Sequence, residues 1–430
     1  MDKKDIFKDK IKSYFSKCLH NDNQYLGLEI EHFLVDKKSL ESISYSKKGG
    51  QRDILIKMLD LGWEIFSKEG ENILGIKKDE STITLEPGGQ FEFSIKAYEN
   101  IEDVKKDYIK ILKDVYKVID NDKDLILIGY HPNTKIEELE LLPKERYDMM
   151  YNYFKGKGEY CHNMMKGTAS LHLAIDYKDE EDFIRKFRTA NFLTPFLSRL
   201  FDSTPFFEKK TYEKNNLRIK VWQNTDIKRS KSVPGSLDKN FTFDDYTQYI
   251  LESEPIFVEN QGRTLSTQRN KVIDIYDKHN FEKKDVEHIL GMVFPDVRLK
   301  NYIEIRIADS IRYPYFLSLL SLIKGIFYSN KNLKKYYQMS LKYNDEDIKK
   351  LNNLLIDNIH CSYKDIEMDQ MVMELIKDAK RELDAKDVVY LDKLEELINN
   401  YESMAEKLKK IDDKSILLNE ITAKNILKDW

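Results

Sequence analysis

Glu29 and Glu31 stand two residues apart in the apolar run YLGLEIEHFLV, and the same spacing of polar groups in apolar sequence recurs at QFEFSI, SLHLAI and YIEIRIA. Alternation with period two marks a β-strand that buries one face, so Glu29, Glu31, Glu92, His172, Glu304 and Arg306 are turned onto the other face. Carboxylates crowded on a sheet repel unless a cation lies between them. Hard oxygen donors suit magnesium, or manganese in its place, and two or more such ions beside phosphates fit a carboxylate-lined sheet. Zinc fits less well, because the set is rich in acid and lacks both a local thiolate and an HExxH helix. The chemistry indicated is divalent-metal phosphoryl transfer or another use of phosphate.

Each strand contributes separately. In GLEIEHF, Leu28, Ile30 and His32 point away from Glu29 and Glu31, whose Cα atoms are about 6.6 Å apart on a regular strand, within reach of one metal cluster. TITLEPGGQFEFSI joins two strands through Pro87, Gly88 and Gly89, a tight connection or an irregular strand that admits a ligand to the backbone or serves structure alone. It is not a Walker A loop, having no GKS or GKT. In TASLHLAID, neutral His172 can ligate a metal beside Glu29 or Glu92, although a histidine in a strand is otherwise a hydrogen-bonded core residue. In NYIEIRIAD, Ile303, Ile305 and Ile307 form the packed side, leaving Glu304 for metal and Arg306 for a planar acid, or else a plain surface pair.

The elements that position these groups read as follows. A helix over 2–20 precedes the strand at 25–35, a short helix lies at 54–59, and strands at 63–66 and 73–77 lead to the ITLE and FEFSI pair. A helix over 101–119 and a strand over 125–130 are followed by a lid-like stretch, 132–166, the strand 168–176, and a helix from 179 to 200 with a kink or break expected at Pro195. Residues 208–240 form a long polar excursion, either substrate-contacting or a disordered insertion. After the strand 300–308, the apolar segment 314–328 is a helix, and amphipathic helices beyond 340, one of them over 383–411, carry no catalytic cluster.

At 430 residues the chain can bury a large core, as one elaborated domain or two joined ones. Its 71 basic and 75 acidic residues leave a net charge of −4, which implies no general attraction to nucleic acid or anionic membrane. No apolar run approaches the roughly 20 residues that cross a bilayer, so a cytoplasmic enzyme is expected. Cys18, Cys161 and Cys361 are far apart and form no CxxC pair, so incidental buried thiols are expected.

From about residue 25 to 310 the chain resembles the plant-type and actinobacterial glutamate-cysteine ligases, carboxylate-amine ligases with a glutamine-synthetase-like catalytic sheet. GLEIEHF is similar to the family's opening GxExE strand and ITLEPGGQFEFS to its most diagnostic segment. RYDMM, MKGTASLHL, KFRTANFLTPFLSRLF, VWQNTD and LKNYIEIRIAD follow in the expected order. The resemblance implies metal ligands at Glu29, Glu31, Glu86, Glu92, His172 and Glu304, and a role for Arg306 on the carboxylate of substrate glutamate. It adds Arg146 and Arg229 as contacts to phosphate or acid, and Trp222 and Asp226 on the acceptor side.

The implied reaction uses ATP to phosphorylate the γ-carboxylate of L-glutamate, and the amino group of L-cysteine then displaces phosphate to give γ-glutamylcysteine. No enzyme carboxylate need act as a nucleophile. The family usually follows its WxxTD segment with arginine, glycine and proline, whereas Arg229 here is followed by Ser230, with Pro234 and Gly235 later. A related ligase for another amine, or a metal-dependent hydrolase, is the alternative. The expected fold is α+β, a curved and largely antiparallel sheet whose polar concave side is the active site. Residues 1–335 form the catalytic domain and 336–430 a helical layer packed on it, in a monomer or homodimer. Glu304→Gln is expected to lose most turnover while keeping its fold.

Overall fold

A computed structural model describes residues 2–16, 24–230, 232–260, 263–277 and 280–429. Nine strands build the central sheet: β1 (Leu26–Asp36), β2 (Glu64–Glu69), β3 (Asn72–Lys78), β4 (Ser81–Leu85), β5 (Phe91–Tyr98), β6 (Lys123–Ile126), β7 (Ser170–Ile175), β8 (Val297–Leu299) and β9 (Ile303–Asp309). They run in the order β8-β9-β7-β1-β5-β4-β3-β2, with β6 paired to the far end of β1, and every pairing is antiparallel. The expected α+β class and antiparallel sheet are what the chain forms.

Register does the assembling. Glu31 lies opposite Glu92, Glu29 opposite His172, and Glu304 opposite Ala174, and residues directly opposed in an antiparallel pair share a face. Four strands from separate parts of the sequence thus turn their acids and imidazole the same way. On β9 the register slips: Ile305 is opposite Leu173 but Ala308 is opposite Leu171, so three steps of one strand match two of the other. This bulge reverses the side-chain parity and brings Asp309, opposite Ser170, onto the polar face. The simple alternation expected through Ile307 therefore ends at Ile305.

The other face is apolar. Leu28, Ile30, Phe91, Phe93, Leu171, Leu173, Ile303 and Ile305 are buried there. His32 points the same way, donating Nδ1–H to the Phe91 carbonyl at 3.2 Å and accepting from the Tyr108 hydroxyl at 2.9 Å. Tyr108 belongs to the helix Ile101–Val118, and its ring packs at a tilt of 54°, 4.9 Å from that of Phe316 in the helix Tyr315–Phe327.

The helix Glu180–Leu200 continues unbroken through Pro195. Proline cannot supply an N–H to the Asn191 carbonyl, and the Thr194 hydroxyl donates to it instead at 2.9 Å. The lid-like stretch holds the helices Glu145–Phe154 and Cys161–Gly167, and the polar excursion holds Leu217–Gln223. The segment 383–411 is two helices, Ala385–Tyr401 and Met404–Lys409, separated at Glu402 where φ is +70°.

A division at 335/336 falls inside the helix Asn330–Ser340. One buried apolar cluster extends from Phe7 to Ile426. Cys161 and Cys361 are buried and unpaired, as expected of incidental thiols, and Cys18 lies outside the described residues.

Candidate active site

Glu29, Glu92 and His172 each offer a ligand atom within 4.8 Å of the other two, the one such group found among the described residues. His172 Nδ1 lies 3.3 Å from Glu29 Oε2. A carboxylate can only accept, so Nδ1 carries the proton and the Nε2 lone pair is left for another partner. Nε2 is buried and has none among the described residues. Burial, with Arg306 nearby, pushes the imidazole down to about 4, so it is neutral near pH 7. Burial is the largest influence on Glu29 and opposes its ionisation, but the bond from His172 and the charge of Lys300 together hold that carboxyl below its usual range. Glu92 goes the other way: burial and the charges of Glu29, Glu86 and Glu31 push it well above the carboxylate range.

These features fit a hard divalent cation. A neutral imidazole with a free lone pair, one ionised carboxylate and one carboxylate held up by its neighbours form a donor set that a positive charge would relieve.

Around the trio lies a cavity of about 300 Å³ lined by Glu31, Glu86, Arg146, Trp222, Arg298, Lys300 and Arg306 among others. Glu31 accepts from the backbone N–H and the hydroxyl of Ser170, at 2.8 and 3.0 Å. Burial and the charge of Glu86 nevertheless push it up to about 7. Glu86 opens the turn Glu86–Gln90, closed by Glu86 N–H to Gln90 O at 3.0 Å and Gly89 N–H to Glu86 O at 2.8 Å. The tight connection is thus the form taken. A Cβ on Gly88 would stand 2.3 Å from the Lys166 carbonyl oxygen, and Gly89 has φ +79°, so both glycines are needed for the turn to dock on the lid-like stretch. Arg146 reaches the cavity from that stretch, its guanidinium 5.2 Å from the Tyr147 ring and its Nε buried without a partner among the described residues.

Glu304 departs from expectation. Its two oxygens take a bidentate pair from Arg298 at 2.7 and 3.1 Å, with a third bond from Arg306 at 3.0 Å and Lys300 at 3.6 Å. Burial works against the charge, but these cations hold the carboxyl well below its usual range. Glu304 is not in the Glu29, Glu92 and His172 group and does not line the cavity. The β8–β9 hairpin sets Arg298 directly opposite it, so its charge is spent on orienting Arg298 and Arg306.

Arg229 and Asp226 also differ. Arg229 donates to Asp226 at 2.9 Å, to the Met292 and Glu254 carbonyls at 2.8 and 2.7 Å, and to the Tyr153 hydroxyl at 2.7 Å, while Tyr153 donates to Asp226. Neither residue lines the cavity, because this closed knot uses their charges to tie the excursion down. Trp222 does line it.

Sequence reasoning passed over three residues. Arg298 is signalled by hairpin spacing, since VRL and IEI can pair across a tight connection. Arg218, buried and donating Nη2 to the Arg306 carbonyl at 2.8 Å, lies four residues before Trp222 on the same helical face. Asp296 accepts the Arg306 N–H on its own carbonyl, and burial pushes its side chain up to about 6. Only the fold signals that one.

The profile of the glutamate-cysteine ligase family 2 (GCS2) matches residues 25–410. Glutamate–cysteine ligase B, chloroplastic, from Oryza sativa subsp. japonica is 28% identical over 418 residues, covering 94% of this chain and 83% of that one. The chloroplastic glutamate–cysteine ligase of Arabidopsis thaliana is 27% identical over 412 residues, covering 93% and 78%. Among solved structures, the glutamate–cysteine ligase of Francisella tularensis in complex with AMP is similar at a TM-score of 0.56 and 11% identity, covering 96% of this chain and 89% of that one. A bifunctional glutathione synthetase from Pasteurella multocida gives 0.54 at 12% identity, covering 99% and 53%. These two likenesses are of fold, whereas the profile spans nearly all of the sheet and its helices, and the chain belongs to the glutamate-cysteine ligase family 2.

Proposed function

We propose that this chain joins the γ-carboxylate of L-glutamate to the amino group of L-cysteine, with ATP converted to ADP and phosphate through a γ-glutamyl phosphate. The observation that carries this reading is the electron-rich trio Glu29, Glu92 and His172, which shares one cavity with the guanidinium groups of Arg146 and Arg306. Acid donors for a metal and fixed cations for a phosphoryl group and a carboxylate are the parts such a transfer needs.

Magnesium, or manganese in its place, held by Glu29, Glu92 and His172 would screen phosphate charge and steady the nucleotide. The remaining work belongs to the chain. Arg146, with its Nε unsatisfied, is the group for the transferring phosphoryl oxygens. Arg306 is oriented by Glu304 and offers the rest of its donors to a substrate carboxylate. Glu31 and Glu86 complete the acidic wall, and Ser170 fixes Glu31 in place. Because the substrate carboxylate is itself the nucleophile toward ATP, catalysis reduces to alignment and charge stabilisation.

Purified protein with magnesium, ATP, glutamate and a panel of amino acids, read by product mass, tests the proposal. γ-Glutamylcysteine as the dominant product is expected. Dominance of another amine would replace the acceptor, and ATP-independent hydrolysis would replace the reaction class.

A further inference from the structure

A cavity of about 830 Å³, within the size range of small-molecule sites, opens where the C-terminal helices meet the rest of the chain. Its walls are the first turn of the helix Ile101–Val118, the loop from Arg312 to Tyr315 after β9, the helix Ala385–Tyr401, and parts of the segment from Lys407 to Lys428. It shares no lining residue with the carboxylate-lined cavity.

Charge sets this cavity apart. Lys105, Arg312, Lys386, Lys393, Lys407 and Lys428 line it beside Glu102, Glu396 and Glu420, an excess of three positive charges. The three acids are already taken. Glu102 accepts from the Tyr390 hydroxyl, Glu396 from Lys393 at 3.0 Å, and Glu420 from Arg312 at 3.0 Å and Lys407 at 2.6 Å. Lys386 and Lys428 bond the neutral amide oxygens of Asn100 and Asn419, at 3.2 and 3.4 Å, and have no carboxylate partner among the described residues. Lys105 is held over the rings of Tyr313 and Tyr390, 5.4 and 5.9 Å from their centroids. Cations gathered around a concavity focus their field on an anion there.

Two further groups are left open. Arg312 Nε and Asn425 Oδ1 are buried with no hydrogen-bond partner among the described residues. The other two nitrogens of Arg312 are bonded to the Tyr313 carbonyl and Glu420, so the fork that suits a carboxylate is committed within the chain. Lysine ammoniums are point charges, and several around one cavity suit a compact anion with charge on many oxygens, such as linked phosphates. Tyr401 and Val389 are exposed in the same lining and offer an apolar ledge, and Asn425 Oδ1 is an acceptor for a hydroxyl.

We propose that this cavity binds a polyphosphate, free or carried on a small organic molecule, at a site separate from the catalytic cavity. The anion sits among Lys105, Arg312, Lys386 and Lys428. An organic part, where present, lies against Tyr401 and Val389 with a hydroxyl on Asn425. Because the walls come from the helix Ile101–Val118 and from the C-terminal region, the bound anion staples the two together and stabilises the fold by mass action.

The test is calorimetric titration of inorganic tripolyphosphate and of ATP into the full chain, with EDTA present and at low salt. Both are expected to bind, to weaken about tenfold or more as salt is raised, and to raise the urea midpoint. Lys386→Glu combined with Lys428→Glu changes two exposed side chains, and should weaken binding at least tenfold while leaving the urea midpoint without ligand unchanged. Arg312→Gln should weaken it as well, whereas Arg146→Gln, in the catalytic cavity, should not. Tighter binding of ATP assigns the site to an organic polyphosphate, and equal binding assigns it to the inorganic anion. No binding to the wild type, unaltered binding in the double lysine variant, or loss of binding in Arg146→Gln overturns the proposal. No turnover enters these measurements, so they stand or fall apart from the ligase reading.

Discussion

His172 has a single contact that decides its chemistry: Nδ1 is held by Glu29 at 3.3 Å, so Nε2 presents a lone pair. Replacing it with Asn removes an imidazole donor at that point, and kcat/KM is expected to fall by about 100-fold with a steeper requirement for magnesium. A magnesium requirement equal to that of the wild type would contradict this. Glu304 makes the opposite prediction. Glu304→Gln leaves the buried Arg298 guanidinium facing a neutral amide, so the urea midpoint should report a loss of about 3 kcal/mol of stability. The fold was expected to be indifferent to this change, because nothing in IEIRIAD shows that Arg298 stands across the hairpin. Arg229 was misread for a related reason: its neighbour Asp226 is three residues away, and whether such a pair faces a cavity or each other depends on a turn that residue types do not reveal.

At the scale of elements, the strands were legible because parity is local. Residues two apart on a regular strand share a face, so each of Glu29, Glu92 and His172 could be set opposite the apolar residues of its own strand before any coordinates, and the register of three strands then brings them together. The bulge on β9 was not legible, since a register slip is set by the partner strand, and it is what brings Asp309 to the polar side. The turn before β5 gives a direct test: Gly88→Ala forces a methyl into the Lys166 carbonyl and should cost about 2 kcal/mol in the urea midpoint, with no loss if the lid-like stretch can recede.

The segment after β6 carries a pH test. Burial, with Lys209 adding to it, pushes His131 down to about 3, against an ordinary value of about 6.5 in the unfolded chain. Between these values the unfolded state binds the proton and the folded state does not, so stability falls as pH drops below about 6.5. His131→Leu should remove about 1 kcal/mol of the loss seen between pH 7 and 5.5. Urea midpoints that decline as steeply as in the wild type would contradict it.

For the whole molecule, the helical C-terminal region closes the sheet and does not hang from it. Leu127 N–H donates to the Ile421 carbonyl at 2.9 Å and the Thr422 hydroxyl to Asp124 at 3.1 Å, beside buried Leu417, Ile421 and Ile426. Deleting residues 411–430 removes those three side chains from the core and uncovers the edge of β6, and should cost about 5 kcal/mol of stability, read from urea unfolding of the full and shortened chains. This contact was invisible in sequence, because it joins segments nearly 300 residues apart. The decisive measurement concerns the trio on which the ligase reading depends. Manganese binding to the full chain, followed by electron paramagnetic resonance, should show a site that Glu92→Gln weakens at least tenfold and that magnesium displaces. Manganese bound equally well by wild type and Glu92→Gln would contradict it.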